Sequence, residues 1–588
     1  MTSFSDPHET SILSGLRITL DRAIVFVIAV MVLRSFVLEG YLISTGSMAP
    51  GLLGFHRRIH CPSCGYSFAF GVSFDDSVDS GNGAIIEPSG PRRYATCPNC
   101  HQINIDVGGV PNSHGDQLLV LKHAYDLRPP HRWETIVFRN PASPEEAYVK
   151  RVVGLPGEEI QVRNGDVFIN GDLARKTWDQ QLDMRIPVCD LHHLVDSDQW
   201  QMPWELDEAW TAEDGDLVCD TSRLKSPSSG SDSQSDISWI RFRYWRWFGG
   251  HHVAETPIAK EDCLEDWKRF LDRFSILPIS WTGRVRYDDE REVLCCEGVM
   301  PDDLQKDLLK QSQNEKFRQA VFRLAALSHL APVTDRYGYN ALVSSPEYVV
   351  SDLMLDTTLE WDTSPELLEV RIPVGSATYG LVIDPAASTV ILMSLDDRVI
   401  ISQGKFPEAV NQQSGKMQLQ VSNFDRQLTI AVNGTQCFEP LALERDPSSE
   451  NFVEATVSAL SGQPMEPDRA ALISLKHEQQ RRWAFGVVNG TVRVKQLQMF
   501  RDVFYTPGRR KHGVNEGYKI PELCYFVQGD NSPVSSDSRN WTNPCVPHTA
   551  LIGKPFLVHL PSRPGVIEFG GFRWPLRIPD WGRIRYIR

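Results

Sequence analysis

Long apolar runs are scarce in this 588-residue chain, positive charge is in deficit, and the common histidine-based hydrolase motifs are missing. Beyond residue 44 no stretch reaches the roughly 18 consecutive apolar residues that mark a membrane-spanning helix, so everything after it is expected to be one water-exposed body. The 60 Lys and Arg are outnumbered by 75 Asp and Glu, and the formal charge of −15 argues against a dedicated nucleic-acid binder. None of the 16 histidines sits in a His-Glu-x-x-His or Gly-x-Ser-x-Gly context, so neither a zincin-type metalloprotease nor a nucleophile-elbow hydrolase has support. Twelve cysteines are too few for a disulfide-dense miniprotein, and 41% apolar with 23% charged residues excludes a disordered or collagen-like chain. The length corresponds to about three or four domains at roughly 150 residues each.

One apolar run does stand near the N-terminus. Ala23 to Leu33 reads AIVFVIAVMVL, and SFVLEGYLI follows Arg34. Continued as a helix to Ile43, the segment would be about 31 Å long, close to a hydrocarbon core of roughly 30 Å. Residues 18–43 are therefore expected to form a transmembrane anchor after a cytoplasmic N-terminus, residues 1–17, an orientation that Arg17 and Arg22 favour weakly. A buried core helix is an alternative, since Asp21, Arg22 and Arg34 flank the run closely. A cleaved signal peptide is another, although no small-x-small cleavage site ends the run.

Three short motifs carry chemistry. Ser44-Thr45-Gly46-Ser47-Met48-Ala49-Pro50 lies just past the apolar run, and a strand-like segment, Tyr148-Val149-Lys150-Arg151-Val152-Val153-Gly154-Leu155-Pro156-Gly157, comes a hundred residues later. Gly529-Asp530-Asn531, followed by Ser535-Ser536-Asp537-Ser538-Arg539, lies near the C-terminus. A serine hydroxyl needs a base, and a lysine with a pKa of about 10.4 cannot serve until burial disfavours its charged form. The β-branched neighbours Val149, Val152 and Val153 suit such burial, though strand alternation alone does not prove it.

In this order behind an apolar helix, the motifs resemble those of the bacterial type I signal peptidases, membrane-anchored serine proteases with a Ser/Lys dyad. The resemblance covers the anchor and residues 41–54, 115–171 and 518–560, about a quarter of the chain. It implies Ser47 as nucleophile and Lys150 as general base. It also implies an oxyanion hole from the Ser47 N–H and the Thr45 hydroxyl, Ser535 as the group that orients the lysine, and Asp537 with Arg539 as a supporting ion pair. The implied substrates are secretory preproteins with small residues before the cleavage site, cut at the outer, periplasmic face of the bacterial inner membrane. The partners are thus preproteins and membrane lipid, and no cofactor is expected for catalysis.

Two departures from the family stand out. Cys61-Pro62-Ser63-Cys64-Gly65 and Cys97-Pro98-Asn99-Cys100 form two C-x2-C knuckles, the spacing of a structural zinc ribbon, with Gly65 easing the first turn. Disulfides on an oxidising outer face, or an accidental pairing, remain open. The other eight cysteines have no interpretable ligand spacing. The second departure is an insertion of about 350 residues, 172 to 517. It contains an acidic stretch with Trp178, Trp200, Trp204 and Trp210, a Ser/Gly/Asp-rich tract from Ser226 to Asp236, and a helical-looking stretch near Pro301 to Leu330. Short β-branched runs then follow, with an Asn489-Gly490 turn between two of them.

The expected fold is mainly β, with a signal-peptidase core in three parts: residues 44–60 with the nucleophile, 105–171 with the lysine, and 506–588 at the C-terminus. A zinc-ribbon-like insert occupies 61–104, a mixed insert 172–344, and a β-sandwich similar to concanavalin and laminin-G jelly rolls 345–505. A glycan or protein partner for the sandwich is open, with a docking role favoured because no sugar or calcium residues are identifiable. The competing functional reading is an envelope binding protein on an inactive peptidase scaffold. Retention of Ser47, Lys150, Ser535, Asp537 and Arg539 speaks against it.

Overall fold

The computed structural model describes residues 7–72, 93–197, 200–213, 215–224, 237–247, 253–272, 284–341, 347–406, 415–443, 482–559, 561–569 and 572–587. The Ser226–Asp236 tract lies outside the described residues.

The N-terminal helix spans Pro7–Phe36 and ends there, because Leu38–Leu42 is a strand paired antiparallel with Gln117–Leu121. The expected anchor boundary at residue 43 is thus corrected: the second apolar run satisfies its backbone in a sheet. Among the described residues no helix is long and apolar enough to cross a membrane. The uncharged run Ala23–Leu33, about 16 Å as a helix, is roughly half the depth of a hydrocarbon core.

Segments distant in sequence build the core sheet. Its strands run in the order Leu38–Leu42, Gln117–Leu121, Leu551–His559, Thr135–Asn140, Ser143–Gly154, Cys524–Gln528 and Val546–Pro547. The strand bearing Lys150 is central. Ile136 sits opposite Lys150 on one side, and Gln528 opposite Arg151 on the other. Both faces of its C-terminal half are covered, so Lys150 through Gly154 are all buried in succession instead of alternating. A Cys524–Cys545 disulfide ties the neighbouring strand to the edge of the sheet, which cysteine spacing had not revealed. A smaller four-stranded sheet, from Glu159–Arg163, Asp166–Ile169, Asp172–Leu173 and Tyr518–Lys519, bridges the two sides of the large insertion.

The insertion is organised differently from the expected division at 344/345. Two antiparallel sheets, of nine and seven strands, pack around one apolar core that includes Trp204, Trp210, Leu359, Val370, Leu419, Phe485 and Val492. Five of the strands come from upstream: Ile186–Asp190, Trp204–Leu206, Trp210–Glu213, Asp216–Asp220 and Ile237–Phe242. The reason is hydrogen bonding. Residues 491–494 of Thr491–Arg501, and Ala484–Val488, would lie at sheet edges without Asp216–Asp220 and Ile237–Phe242 beside them. Of the Trp-rich stretch, Trp204 and Trp210 therefore belong to the sandwich and fill its core, while Trp178 packs with Met354, Phe424 and Phe500 and Trp200 against the cysteine knuckles. The two strands that meet at Asn489-Gly490 lie in opposite sheets, so that turn is an arch and not a hairpin. A separate lobe interrupts the sandwich, with Val253–Pro257, Val285–Asp288 and Val293–Glu297 backed by helices Lys260–Asp272, Asp302–Gln311 and Glu315–Ser328.

Candidate active site

Ser47 sits on a turn between the first core strand and His56–His60, and Lys150 projects from the central strand. The structure brings them together across 103 residues, with Lys150 Nζ 2.5 Å from Ser47 Oγ. Ser47 is 8% exposed and Lys150 4%. Burial lowers the Lys150 amine to about 8, against the opposing pull of Asp537 and Asp530. Neither carboxylate bonds the amine, because each is engaged by its own guanidinium. Arg151 grips Asp530 with two bonds, of 2.8 and 2.7 Å, and Arg539 grips Asp537 at 2.9 and 2.6 Å. The result is a buried amine whose direct polar neighbour is a hydroxyl, an arrangement in which the neutral form is accessible near neutral pH.

Asp537 and Arg539 are both fully buried. Burial pushes the Asp537 carboxyl up, but the Arg539 charge and hydrogen bonds outweigh it and hold Asp537 below the usual carboxylate range. Asp537 Oδ2 accepts from the Gly529 N–H at 3.1 Å, and Arg539 donates to Ser532 Oγ at 2.6 Å and to the Thr506 carbonyl. The pair thereby ties the Gly-Asp-Asn turn to the point where the chain returns from the insertion. Thr506 and Ser532 went unnoticed in the sequence, being a threonine and a serine without motif spacing.

Thr45 is exposed, with Oγ1 3.4 Å from Ser47 Oγ. Ser535 departs from its expected role. It is buried, but no hydrogen bond joins its hydroxyl to Lys150; the hydroxyl instead helps hold the Asp537 carboxyl low. Its Oγ lies over Gly529, where a Cβ would be 2.4 Å from it and 2.4 Å from the Ser47 carbonyl oxygen. Ser535 thus packs against the turn that touches Ser47 without orienting the amine.

The four cysteines of the two knuckles converge. Cys61, Cys64, Cys97 and Cys100 are buried and unbridged, and their sulfurs lie within 4.8 Å of one another, with Cys61 to Cys100 at 3.5 Å and Cys64 to Cys97 at 3.7 Å. Four thiolates about 2.3 Å from one tetrahedral zinc would stand about 3.8 Å apart, so the donor set fits that ion. The knuckles share one geometry. Gly65 N–H bonds the Cys61 carbonyl at 2.9 Å and His101 N–H the Cys97 carbonyl at 3.1 Å, both with positive φ, 70° and 62°. The second turn adopts a left-handed conformation without a glycine, which hides it from sequence inspection.

The signal peptidase family, peptidase S26, matches residues 108–206 and 426–560, which include Lys150, Ser535, Asp537 and Arg539 but not Ser47. A probable signal peptidase I-2 of Synechocystis sp. is 41% identical over 69 residues, 11% of this chain and 31% of that protein. The chain is related to the type I signal peptidases. Signal peptidase I of Leptolyngbya laminosa is 44% identical over 73 residues, covering 11% of this chain and 36% of its relative, and that of Bacillus caldolyticus 46% over 57 residues, 10% and 30%. The chain thus spans about a third of the length of these curated relatives. Among solved structures, a carbohydrate-binding module from Bacillus subtilis is matched at 10% identity and TM-score 0.16, over 26% of this chain and 80% of that one, too distant to assign a ligand.

Proposed function

We propose that this signal-peptidase relative is a membrane-attached serine endopeptidase that removes signal peptides from secretory preproteins through a Ser47/Lys150 dyad. The observation that carries the reading is the 2.5 Å approach of the Lys150 amine, lowered to about 8 by burial, to the Ser47 hydroxyl. Neutral Lys150 takes the hydroxyl proton as Ser47 attacks the scissile carbonyl, and gives it to the departing amine as the acyl-enzyme forms. Water then attacks the ester with Lys150 again as base. The Ser47 N–H and the Thr45 hydroxyl stabilise the oxyanion. Substrates carry small residues before the cleavage site, as the family likeness implies.

Membrane attachment rests on the N-terminal helix, where Val25, Phe26, Ile28 and Met31 are 54–69% exposed. Arg22 and Arg34 flank the short apolar run, where their charged ends can reach the headgroups on either side. In this reading the helix attaches the catalytic body to the outer face of the bacterial cytoplasmic membrane. Cys61, Cys64, Cys97 and Cys100 hold a structural zinc, which supplies folding energy and leaves no open position for catalysis. Stoichiometric zinc in the purified protein supports that site; non-reducing mass spectrometry showing a Cys61–Cys64 or Cys97–Cys100 bridge overturns it.

The functional test is cleavage of a preprotein with Ala before the scissile bond, by the full chain in lipid vesicles. Wild type is expected to cut and Ser47→Ala to lose at least about 10³-fold in kcat. Cleavage that survives Ser47→Ala overturns the mechanism, and an inert wild type turns the assignment to the binding-protein reading.

A further inference from the structure

A short stretch of the insertion, Tyr337-Gly338-Tyr339-Asn340, crosses from the sandwich side and packs on the loop that carries Ser47. The Tyr339 ring fills the space above two glycines from separate parts of the chain. A Cβ on Gly46 would come within 2.1 Å of the ring, and one on Gly71 within 2.3 Å. The Tyr339 hydroxyl donates to the Phe55 carbonyl at 2.8 Å, and its own carbonyl accepts from the Gly71 N–H at 2.8 Å. The ring therefore sits between the residue before the nucleophile and the end of its loop.

Asn340 makes the second connection. Its side-chain amide and that of Asn531 donate to each other's oxygens, both at 2.8 Å. The same Asn531 donates its side-chain N–H to the Gly46 carbonyl and its backbone N–H to the Ser47 carbonyl, each at 3.0 Å. Tyr337 donates to the Asp530 carbonyl at 2.6 Å, and Asp530 holds Arg151, the residue after Lys150. One short segment thus has a hydrogen-bonded path to each half of the dyad. Pro98, from the second cysteine knuckle, backs it closely, since a Cβ on Gly338 would be 2.8 Å away.

Short-range bonds also shape the loop, such as Ala49 N–H to the Gly46 carbonyl at 3.1 Å and Leu52 N–H to the Met48 carbonyl at 2.8 Å. Those set the turn but not its placement against the lysine strand. Placement comes from long-range contacts, and Asn531 and Tyr339 supply several of them. A misplacement of about 1 Å between reacting groups can lower a rate about 10²-fold while substrate binding is unchanged.

We propose that Tyr339 and Asn340 are positioning residues for the Ser47/Lys150 dyad, so that the insertion is a working part of the active site. The inference rests on the Ser/Lys peptidase reading. The test uses the full chain in vesicles and compares wild type with Asn340→Ala, Asn340→Gln and Tyr339→Phe for kcat, KM and thermal midpoint. Asn340→Ala is expected to lower kcat about 10-fold with KM within about two-fold and little change in midpoint, and Asn340→Gln, which keeps both donor and acceptor, to regain most of it. Tyr339→Phe retains the ring, removes only the bond to Phe55, and is expected to lower kcat about three-fold. Unchanged kcat in Asn340→Ala and Tyr339→Phe overturns the proposal. So does a loss that follows the fall in midpoint and is not restored by Asn340→Gln. An inert wild type instead removes the peptidase reading beneath it.

Discussion

Two lysines in this chain are equally buried and chemically opposite. Lys150 and Lys176 are 4% and 3% exposed, yet burial lowers the first to about 8, while Asp425 and Asp502 outweigh burial at the second and raise it above the ordinary lysine value. The difference lies in direct partners. Lys176 Nζ bonds Asp425 at 2.6 Å and Asp502 at 2.7 Å, whereas the carboxylates near Lys150 are taken by Arg151 and Arg539. Burial alone does not make a lysine a base. Burial with the nearby acids already satisfied does, and the paired arginines deserve as much of the credit as the apolar wall. Lys176, with its two acids, instead bolts the core to the sandwich, since Asp425 and Asp502 both lie in or beside sandwich strands.

The sharpest test removes each amine in turn. Lys150→Met should abolish cleavage, by at least about 10³-fold in kcat, and at the same time stabilise the fold at pH 7 by about 2 to 3 kcal/mol. The native lysine is forced toward its neutral form by roughly 2.5 pH units, at about 1.4 kcal/mol each, less the lost bond to Ser47. Denaturant melts alongside the cleavage assay measure both. A variant that is inactive and also less stable would show that Lys150 is a structural cation like Lys176. Lys176→Met should do the reverse and destabilise by about 3 to 5 kcal/mol, since it strands buried carboxylates, while kcat of the folded fraction stays within about three-fold.

Titration separates the two sites further. Cleavage should rise with pH through about 8 as Lys150 loses its proton, and a limb that is absent or lies near 10 would mean the amine is not desolvated in solution. The stability slopes run in opposite directions. Lys150 has a lowered native pKa, so between about 8 and 10.5 the unfolded chain binds more protons and stability rises with pH. Around Lys176, burial raises Asp502 to about 6 and Asp166 to about 7, so the native state keeps protons that the unfolded chain releases. Stability there is full below about 4 and falls as pH climbs to about 7.

Much of the catalytic constellation was legible because its residues are fixed by short, ordered motifs: Ser47 before Met48, Lys150 before Arg151, Asp537 two residues before Arg539. The four cysteines were legible by spacing, even with His101 in place of a second glycine. What could not be read depends on sheet partners and long-range packing. The start of the sandwich was misplaced because Asp216–Asp220 and Ile237–Phe242 join it through hydrogen bonds to strands some 250 residues later, and local alternation carries no trace of that. Tyr339 and Asn340 are an aromatic and an amide in a non-repetitive segment, significant only beside Gly46 and Asn531. Ser535 shows the converse: the resemblance implied that it orients the lysine amine, but its hydroxyl lies over the Gly529 turn and makes no bond to Lys150. Lys176, in Ala-Arg-Lys-Thr, had no signal at all.

The smallest expected effect sharpens the comparison at its acidic end. Among the described residues, Asp166, Asp352, Asp425 and Asp502 gather about Lys176 and Arg426 at the junction, four carboxyls to two cations. Burial first, and then Asp166, Asp502 and Asp425, push Asp352 well above the usual carboxylate range, so the native protein keeps it protonated where the unfolded chain would not. Asp352 Oδ2 accepts the Asp425 N–H at 2.7 Å, a bond that an asparagine carbonyl can also make. Asp352→Asn should therefore stabilise the fold more at pH 8 than at pH 5, measured by denaturant melts at the two values. Equal melts at both pH values would mean that Asp352 is ionised beside Lys176 after all, and that this lysine is matched to three carboxylates instead of two.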